Sequence, residues 1–446
     1  MIERRAFTMQ RNTRTLILTP STALTRETAH VITTKFSKAM SVNVVNLTSD
    51  PEQRKSHLKQ NRVVFVCSAE VLMKILQSGQ TDELVNDLST IVADDLHLLN
   101  STYELSLSLL KLKASTSRYV GISASLDNFE DLRKWLSVDP ALAYNFTPQH
   151  RNLAISTSIQ THSVTPMSAF MKALVKPTYS LIKSASKGAI LFVPTRTQCR
   201  SVASDLITLS ATDSDLIGLA TEESIALEPY LDRLSDKSLA GYLLNGIGVY
   251  YTGLPVEDLA LTLELFVTGI LRALIAPRDM CWSMPVRASS VCVLNTQYLT
   301  TKSKTPVGDR DKVDKQIQEY SLPEVAHMQA YASVDIEGDT DASREFVVMA
   351  HENGNKELYA YFLNSGLPLE SRLMEDDVLL DYVGYERQAG RLNELQEVSN
   401  LLKGTFFYRR LSTNPTYYNS NSSESRNEAV KSFSKAILGS LDKVSG

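Results

Sequence analysis

Residues 90–97 read TIVADDLH, a short run that ends in two carboxylates and a histidine. Each residue of TIVA is apolar or β-branched, which is typical of a strand buried on both faces of a parallel sheet. The next such run leads into Ser123 and Ser125. Because the carboxyl ends of parallel strands meet at one edge of a sheet, we expect Asp94 and Asp95 to lie near these serines.

Similar runs recur on both sides of this stretch. In the first third of the chain they are RTLILT (14–19), VNVVNL (42–47), VVFVCS (63–68), TIVAD (90–94) and YVGIS (119–123). A second set consists of AILFVP (189–194), IGVYY (247–251), RALIAP (272–277), SSVCVLN (289–295) and EFVVMA (345–350). Segments with apolar residues at three-to-four spacing lie between them. This alternation predicts an α/β protein with two lobes, each built on a parallel sheet.

The predicted organisation has four parts. Residues 1–137 form the first lobe, and residues 138–166, with three prolines, form a linker. Residues 167–365 form the second lobe. From 366 to 446 the pattern is helical and then becomes a polar tail that ends in an amphipathic helix.

Composition mainly excludes classes of protein. The chain has 446 residues, 46 Lys/Arg, 50 Asp/Glu and a net charge of −4, as in ordinary globular proteins. No apolar stretch is long enough for a membrane span, so we expect no membrane partner. The four scattered cysteines are typical of a reduced cytosolic or nuclear protein without a zinc site.

The charge is unevenly distributed along the chain. Residues 1–62 hold eleven Lys/Arg and four Asp/Glu, whereas residues 334–400 hold five and fifteen. Two differently charged solvated faces explain this as well as two distinct partners do. The acidic segment includes Asp335, Glu337 and Asp339.

Standard catalytic signatures are absent from the sequence. It contains no Gly-Lys dipeptide, and therefore no GxxxxGK[ST] loop, and it lacks GxGxxG, HExxH and GxSxG. Acidic residues at a strand end can hold a Mg²⁺–phosphate complex, with Asp94 as the metal-binding carboxylate. Taken alone, a helix cap or a solvated loop explains Asp94-Asp95 more often.

Several colinear motifs resemble those of superfamily-2 helicases, and in particular their Ski-like branch. Asp94-Asp95-Leu96-His97 resembles the DExH motif and Ser123-Ala124-Ser125 the SAT motif. The remaining matches are LTPSTALTRE (18–27) to the TPxxAL motif, FVPTR (192–196), GIGVYYTGL (246–254), LIAPRDMCWSMPV (274–286) and TFFYRRLSTNPTYYN (405–419). Taken together they resemble the C-terminal cassette of the spliceosomal U5 helicases, over about residues 14–420.

The resemblance implies two RecA-like lobes followed by the start of a winged-helix domain. It also implies a family activity that depends on ATP and Mg²⁺, a nuclear location, and partners among splicing proteins and the N-terminal helicase cassette. The nucleic-acid contacts that it implies are Thr19, Pro20, Arg26, Thr195 and Arg196.

Departures from the family pattern predict that the ATP site is lost. The Walker A loop should precede the TPxxAL strand, where we find only about thirteen residues without glycine, so we favour a fragment with an incomplete first lobe. Motif VI reads HMQAYASV (327–334), with Tyr331 and Val334 at its two arginine positions. An arginine finger contributes roughly 10³–10⁵-fold in rate. We therefore expect that the residues of the DExH-like and SAT-like motifs no longer catalyse a reaction, and we expect no cofactor.

Other motif positions depart from the family as well. Asp95 replaces Glu, Tyr250-Tyr251 replace His-His, and Pro277, Ser283 and Pro285 replace Thr, Gly and Asn. We therefore interpret the chain as a pseudo-helicase that serves as an interaction module.

Two alternatives stay open. The lobes could still bind RNA, as part of an active ATP-dependent helicase or without turnover, or the cleft could bind nucleotide alone. Arg26 could instead pair with a neighbouring carboxylate, and Tyr250-Tyr251 could be core aromatics.

Overall fold

Strand β4 (Leu88–Ala93), which leads into Asp94, lies inside a five-stranded sheet. The other strands are β1 (Arg14–Thr19), β2 (Asn43–Asn46), β3 (Val63–Ser68) and β5 (Arg118–Gly121). They are parallel and lie in the order β2-β3-β1-β4-β5. Strands β1 and β3 are buried along their whole length, which explains why their sequences lack polar alternation.

This description rests on a computed structural model. It covers residues 14–34, 43–78, 80–151, 153–164, 166–212, 227–302, 314–334, 344–420 and 425–445. The chain divides into two compact units, residues 1–147 with 365–446, and residues 148–364. No helix within the described ranges is both long enough and apolar enough to cross a membrane.

Helices flank the first sheet. They are α1 (Thr22–Ile32), α2 (Pro51–Leu58), α3 (Ala69–Gln77), α4 (Thr81–Val85), α5 (Ser101–Lys113) and α6 (Phe129–Trp135). Residues that end strands or loops cap them: the Ser68 side chain accepts from the Val71 N–H, and Asn100 accepts from the Tyr103 N–H. These caps satisfy N–H groups that a helix start leaves unpaired.

The second unit is built on a six-stranded parallel sheet. Its strands are β6 (Ser156–His162), β7 (Ala189–Val193), β8 (Ile247–Val249), β9 (Ala273–Pro277), β10 (Ser290–Leu294) and β13 (Glu345–His351). The order is β6-β13-β10-β7-β9-β8. An antiparallel hairpin is formed by β11 (Gln297–Lys302) and β12 (Asp314–Glu319).

Helices also surround the second sheet. They are α7 (Met167–Ala173), α8 (Val175–Ser184), α9 (Arg196–Thr212), α10 (Glu228–Leu231), α11 (Ala240–Leu243), α12 (Val256–Val267), α13 (Leu322–Ala330) and α14 (Lys356–Ser365). The predicted α/β class is confirmed, with two parallel sheets of the kind that RecA-like helicase lobes have.

Two elements of the second unit differ from our expectation. Strand β6 lies in the segment 138–166 that we predicted to be a linker. It is an edge strand with the polar sequence STSIQTH and no fully buried residue, so it gives no apolar signal. The hairpin of β11 and β12 was not predicted either, because a two-stranded ribbon exposes much of its surface.

The C-terminal region is helical, as expected. It contains α15 (Val378–Gln388), α16 (Leu395–Lys403), α17 (Phe406–Thr413) and α18 (Arg426–Ser445). We predicted a separate region from residue 366, but residues 365–446 group with the first sheet. Hydrogen bonds such as that from Trp135 Nε1 to the Gly404 carbonyl (3.0 Å) join the two parts.

Three predictions are not tested by this architecture. The winged-helix assignment stays a prediction, since β pairing among the described residues from 366 onward is limited to a bridge between Leu126 and Leu367. The expectation of an incomplete first lobe also stays a prediction. The acidic positions 335–341 and the basic positions 4–11 lie outside the described residues.

Candidate functional site

Asp94 and Asp95 lie directly after β4, with their backbone fixed by neighbouring elements. The Asp94 N–H donates to the Leu18 carbonyl oxygen (2.9 Å), and the Tyr103 hydroxyl donates to the carbonyl oxygens of Asp94 (2.7 Å) and Leu18 (3.0 Å). Asp95 has a left-handed backbone, with φ 49°, and its N–H donates to Asp94 Oδ1 (3.0 Å). Strand β1 and helix α5 therefore hold both carboxylates at the sheet edge.

Both carboxyl groups have raised pKa values. Burial raises the pKa of Asp94, and the hydrogen bond from the Asp95 N–H lowers it by less. Burial, together with the negative charges of Asp94 and Glu27, raises the pKa of Asp95 to about 7. The pKa of a carboxyl group rises in this way when burial removes its hydration and no nearby cation compensates for it. Each of the two carboxyl groups therefore keeps its proton to a higher pH than an exposed aspartate does.

Asp94, the predicted relic of a Mg²⁺ ligand, has too few companions to make a metal site by itself. Within the described ranges, no three His, Cys, Asp or Glu side chains are grouped so as to hold a metal ion. Mg²⁺ is usually bound by one or two carboxylates together with phosphate oxygens. These residues would therefore hold the ion only together with a bound nucleotide.

The DExH-like and SAT-like segments lie against each other. The Leu96 N–H donates to the Ile122 carbonyl oxygen (2.9 Å), and His97 Nδ1 accepts a hydrogen bond from the Ala124 N–H (3.2 Å). Ser123 is exposed, and the Ser125 hydroxyl lies 3.5 Å from Asn145 Oδ1. The structure thus brings together the two segments that we expected to meet, with His97 as the link.

The predicted nucleic-acid contacts of the first lobe are not equally accessible. Thr19 is fully buried, and its Oγ1 lies 2.6 Å from Thr25 Oγ1. Pro20 is also buried. Arg26 is exposed and has no hydrogen-bond or ion-pair partner among the described residues. Of these three residues, only Arg26 presents its side chain to solvent.

The corresponding residues of the second unit follow β7. Thr195 and Arg196 are exposed. The Arg196 guanidinium is hydrogen-bonded to the Thr252 hydroxyl and lies 3.7 Å from the Asp279 carboxylate. With half of each side chain exposed, this ion pair contributes little stability and opens readily.

The tyrosines in place of the family's His-His pair are packed. Tyr250 is buried and Tyr251 is half-buried against the core. The Tyr251 hydroxyl accepts from Arg200 Nε (3.0 Å), and Arg200 also pairs with Asp236 (2.9 Å). This packing favours the core interpretation over a stacking platform for bases.

The segment that resembles motif VI contributes to the interior of the second unit. Tyr331 is 2% exposed, and its hydroxyl donates to the Cys281 carbonyl oxygen (2.6 Å). Val334 is half-buried, and its carbonyl oxygen accepts from Arg344 Nε (2.9 Å). Neither of the two residues for which the resemblance predicts an arginine thus carries a cation.

An aromatic cluster surrounds Tyr331. Ring centroids are separated by 4.9 Å between Trp282 and His327 and by 5.7 Å between His327 and Tyr331. Arg287, which is exposed, lies 4.6 Å above the Tyr331 ring. Burial, and to a lesser extent the charge of Arg287, lowers the pKa of His327 to about 4. His327 is therefore a neutral packing residue at pH 7.

Sequence reasoning missed three residues of these sites. Tyr103 binds carbonyl oxygens as far as 85 positions away, which no local pattern could indicate. Glu27 stands in the LTRE segment that we quoted, where it could have been recognised as an acid near Asp95. Arg287 directly follows the motif V segment.

Comparison with known proteins agrees with this geometry. Residues 1–132 match the DEAD/DEAH box helicase family. The chain is 28% identical over 416 residues to the Homo sapiens U5 small nuclear ribonucleoprotein 200 kDa helicase, covering 91% of the chain and 19% of the relative. The Arabidopsis thaliana DExH-box ATP-dependent RNA helicase DExH12 is 28% identical over 422 residues, covering 91% and 18%.

A third relative belongs to a different complex. The Dictyostelium discoideum activating signal cointegrator 1 complex subunit 3 is 28% identical over 440 residues, covering 96% of the chain and 19% of the relative. The chain thus spans about a fifth of the length of these relatives. Residues 1–132 are therefore similar to DEAD/DEAH box helicase domains, and nine-tenths of the chain is similar to the U5 200 kDa helicase, to DExH12 and to the signal-cointegrator complex subunit.

Proposed function

We propose that the chain is a catalytically degenerate helicase module that acts as a protein-interaction scaffold in a splicing complex. The observation that carries the proposal is the buried side chain of Tyr331, a residue that stands where the resemblance predicts a motif VI arginine. Phosphoryl transfer depends on cations placed around the γ-phosphate. A tyrosine committed to a backbone carbonyl cannot replace one.

The first unit supports the same proposal. Asp94 and Asp95 have raised pKa values, and Glu27 adds negative charge beside them. A nucleotide would therefore bring further negative charge to carboxylates that already repel one another. The neighbouring strands β1 and β3 are buried along their whole length, and a packed core of this kind is what an interaction module needs.

ATP turnover tests the catalytic part of the proposal. The purified chain is incubated with Mg²⁺, ATP and single-stranded RNA, beside the Asp94→Ala variant as a matched control. We expect phosphate release at the same background level for both. RNA-stimulated release that Asp94→Ala abolishes would contradict the proposal.

The splicing part rests on the similarity to the Homo sapiens U5 small nuclear ribonucleoprotein 200 kDa helicase. We propose a nuclear location and partners among splicing proteins, including the N-terminal helicase cassette of such a helicase. Affinity purification of the tagged chain from its own cells, followed by a probe for U5 small nuclear RNA, tests this. We expect the RNA to be enriched, and equally so for Asp94→Ala. Particles that contain the chain but no U5 RNA would refute it.

A second candidate function is RNA binding without turnover, or as part of an active helicase. The exposed and unpaired Arg26 favours it, with exposed Thr195 and Arg196 as further contacts. Titration of RNA affinity against salt should then give a log–log slope of about −0.7 for each phosphate contact. Arg26→Gln should make the slope shallower, whereas Arg372→Gln, at an exposed arginine elsewhere, should not. No binding at low salt would eliminate this candidate.

A further inference from the structure

Glu104 is a carboxylic acid in the interior of the first unit. It lies on α5, has no exposed surface, and is surrounded by residues of α5 that are buried almost without interruption from Ser101 to Leu110. A charged carboxylate without water costs several kcal/mol unless a cation or several hydrogen bonds compensate. Its partners therefore decide which protonation state the fold favours.

The carboxyl group of Glu104 faces the start of α17. Its Oε1 accepts a hydrogen bond from the Phe407 N–H (2.7 Å), and Phe407 is the second residue of that helix. Its Oε2 has no hydrogen-bond partner among the described residues. The positive end of the helix dipole favours a carboxylate, but one hydrogen bond and one helix terminus replace little of the lost hydration.

Several cations on the surrounding elements are engaged elsewhere, and the charge of Arg409 on α17 acts on Lys111. On α17, Arg410 pairs with Asp131 and Glu370. On α5 itself, Lys111 donates to the Trp135 carbonyl oxygen. Lys74 of α3 donates to Ser49, and Arg387 of α15 pairs with Asp442.

Tyr418 is the titratable neighbour that is coupled to Glu104. Burial is the main cause that raises the pKa of Tyr418, followed by Glu370, with a smaller contribution from Glu104. The Tyr418 hydroxyl donates to Glu370 Oε2 (2.8 Å). Tyr418 therefore stays neutral and supplies no charge that would stabilise ionised Glu104.

We propose that Glu104 is a proton-controlled latch for α17: the neutral acid allows the start of this helix to stay docked beside Glu104, and ionisation loosens it. The latch rests on three geometric facts, namely complete burial, a hydrogen bond from the Phe407 N–H that crosses from one part of the unit to the other, and the absence of an ion pair between Glu104 and a cation of the described residues.

The titration range supports this device. Burial raises the pKa of Glu104 to about 7, and the nearby donor groups of Ser371, Phe407 and Phe406 lower it by less through hydrogen bonding. A raised pKa in the docked state means that docking is favoured below the ordinary glutamate pKa and weakens as pH rises toward 7. When α17 is undocked, Glu104 should have its ordinary pKa of about 4.5. The equilibrium constant for undocking of α17 should therefore increase about tenfold between about pH 6 and pH 8.5.

Hydrogen exchange tests the latch. Protection of the backbone amides of residues 405–409, corrected for intrinsic exchange, is compared at several pH values for the wild type, Glu104→Gln and the surface control Glu130→Gln. We expect protection to fall about tenfold over this range in the wild type and in Glu130→Gln, and to be constant in Glu104→Gln. Glu104→Met serves as a second variant if Glu104→Gln does not fold.

Two results would overturn the latch. One is wild-type protection of these amides that does not change with pH. The other is an equal fall in a folded Glu104 variant, which would assign the effect to another group.

Discussion

The Tyr331 hydroxyl donates a hydrogen bond to the Cys281 carbonyl oxygen at 2.6 Å, across 50 positions of sequence. Tyr331 is the C-cap residue that directly follows α13, whereas Cys281 belongs to the turn Arg278–Trp282 that follows β9. Two segments that resemble nucleotide-binding motifs are thereby joined by a buried structural bond. The same bond makes the tyrosine indispensable to packing, which sets the first prediction.

Replacing Tyr331 should affect stability and not create activity. Tyr331→Phe leaves the buried Cys281 carbonyl unpaired and should lower the free energy of unfolding by about 1–3 kcal/mol. Tyr331→Arg should cost more, because it buries an unpaired charge, and should not raise ATP turnover. Urea denaturation measures both, with Tyr361→Phe, at an exposed tyrosine, as the control. ATP hydrolysis gained by Tyr331→Arg would contradict this account.

The second unit should lose stability in acid because of His327. Burial lowers the pKa of His327 to about 4, below its unfolded value of 6.5, so the unfolded chain binds the proton more readily. This contribution is fully present above about pH 6.5 and is lost as pH falls toward 4, by about 2.5 kcal/mol at about pH 4.5.

Thermal unfolding of wild type and His327→Phe at several pH values measures this effect. The difference in stability between them should shift in favour of the variant as pH falls from about 7 to 4.5. His30→Gln, at an exposed histidine, provides the control. A pH-independent difference would show that His327 does not titrate as described.

Arg410 should be essential for attachment of the C-terminal segment. It is 9% exposed, pairs with both Asp131 and Glu370, and its Nε donates to Glu370 Oε2 (2.9 Å). Arg410→Met leaves two half-buried carboxylates without their cation and should cost about 3–5 kcal/mol. Arg372→Met, which breaks the exposed pair with Glu375, should cost no more than about 1 kcal/mol. Denaturant unfolding of the two variants measures both losses of stability. Equal losses would contradict the prediction.

Arg278 should hold the β11–β12 hairpin in place. Its guanidinium lies 3.8 Å from the ring centroid of Tyr298 and also pairs with Glu324 of α13. Arg278→Lys loses the planar stacking and should cost about 1–2 kcal/mol, with faster exchange of the Tyr298 amide. Arg272→Lys is the control, since Arg272 makes one long hydrogen bond to Lys183. Unchanged exchange in Arg278→Lys would show that the stacking is not needed.

Sequence reasoning predicted the central strands well for a physical reason. Strands such as β1, β3 and β7 are buried on both faces, so their composition carries the signal by itself. The polar edge strand β6 carries no such signal, because water and one neighbouring strand satisfy it. The grouping of residues 365–446 with the first sheet depends on long-range bonds, such as that between Glu104 and Phe407, which no local pattern reveals.

The sequence predicted where the candidate site residues lie along the fold better than it predicted whether their side chains are exposed. The segments of Asp94 and of Ser125 were expected to meet, and His97 joins them. Thr19 was expected to contact nucleic acid, yet its hydroxyl faces Thr25 in the interior. Whether a polar side chain at a strand end points outward depends on the helix packed above it, which the sequence does not specify.

The most direct test of the central claim is the rate of RNA-stimulated ATP hydrolysis by the purified chain. Active enzymes commonly turn over at about 1–10³ per second. We predict a wild-type rate that equals that of Asp94→Ala within error, with and without RNA. A wild-type rate that RNA increases and that Asp94→Ala abolishes would contradict the degenerate-module account.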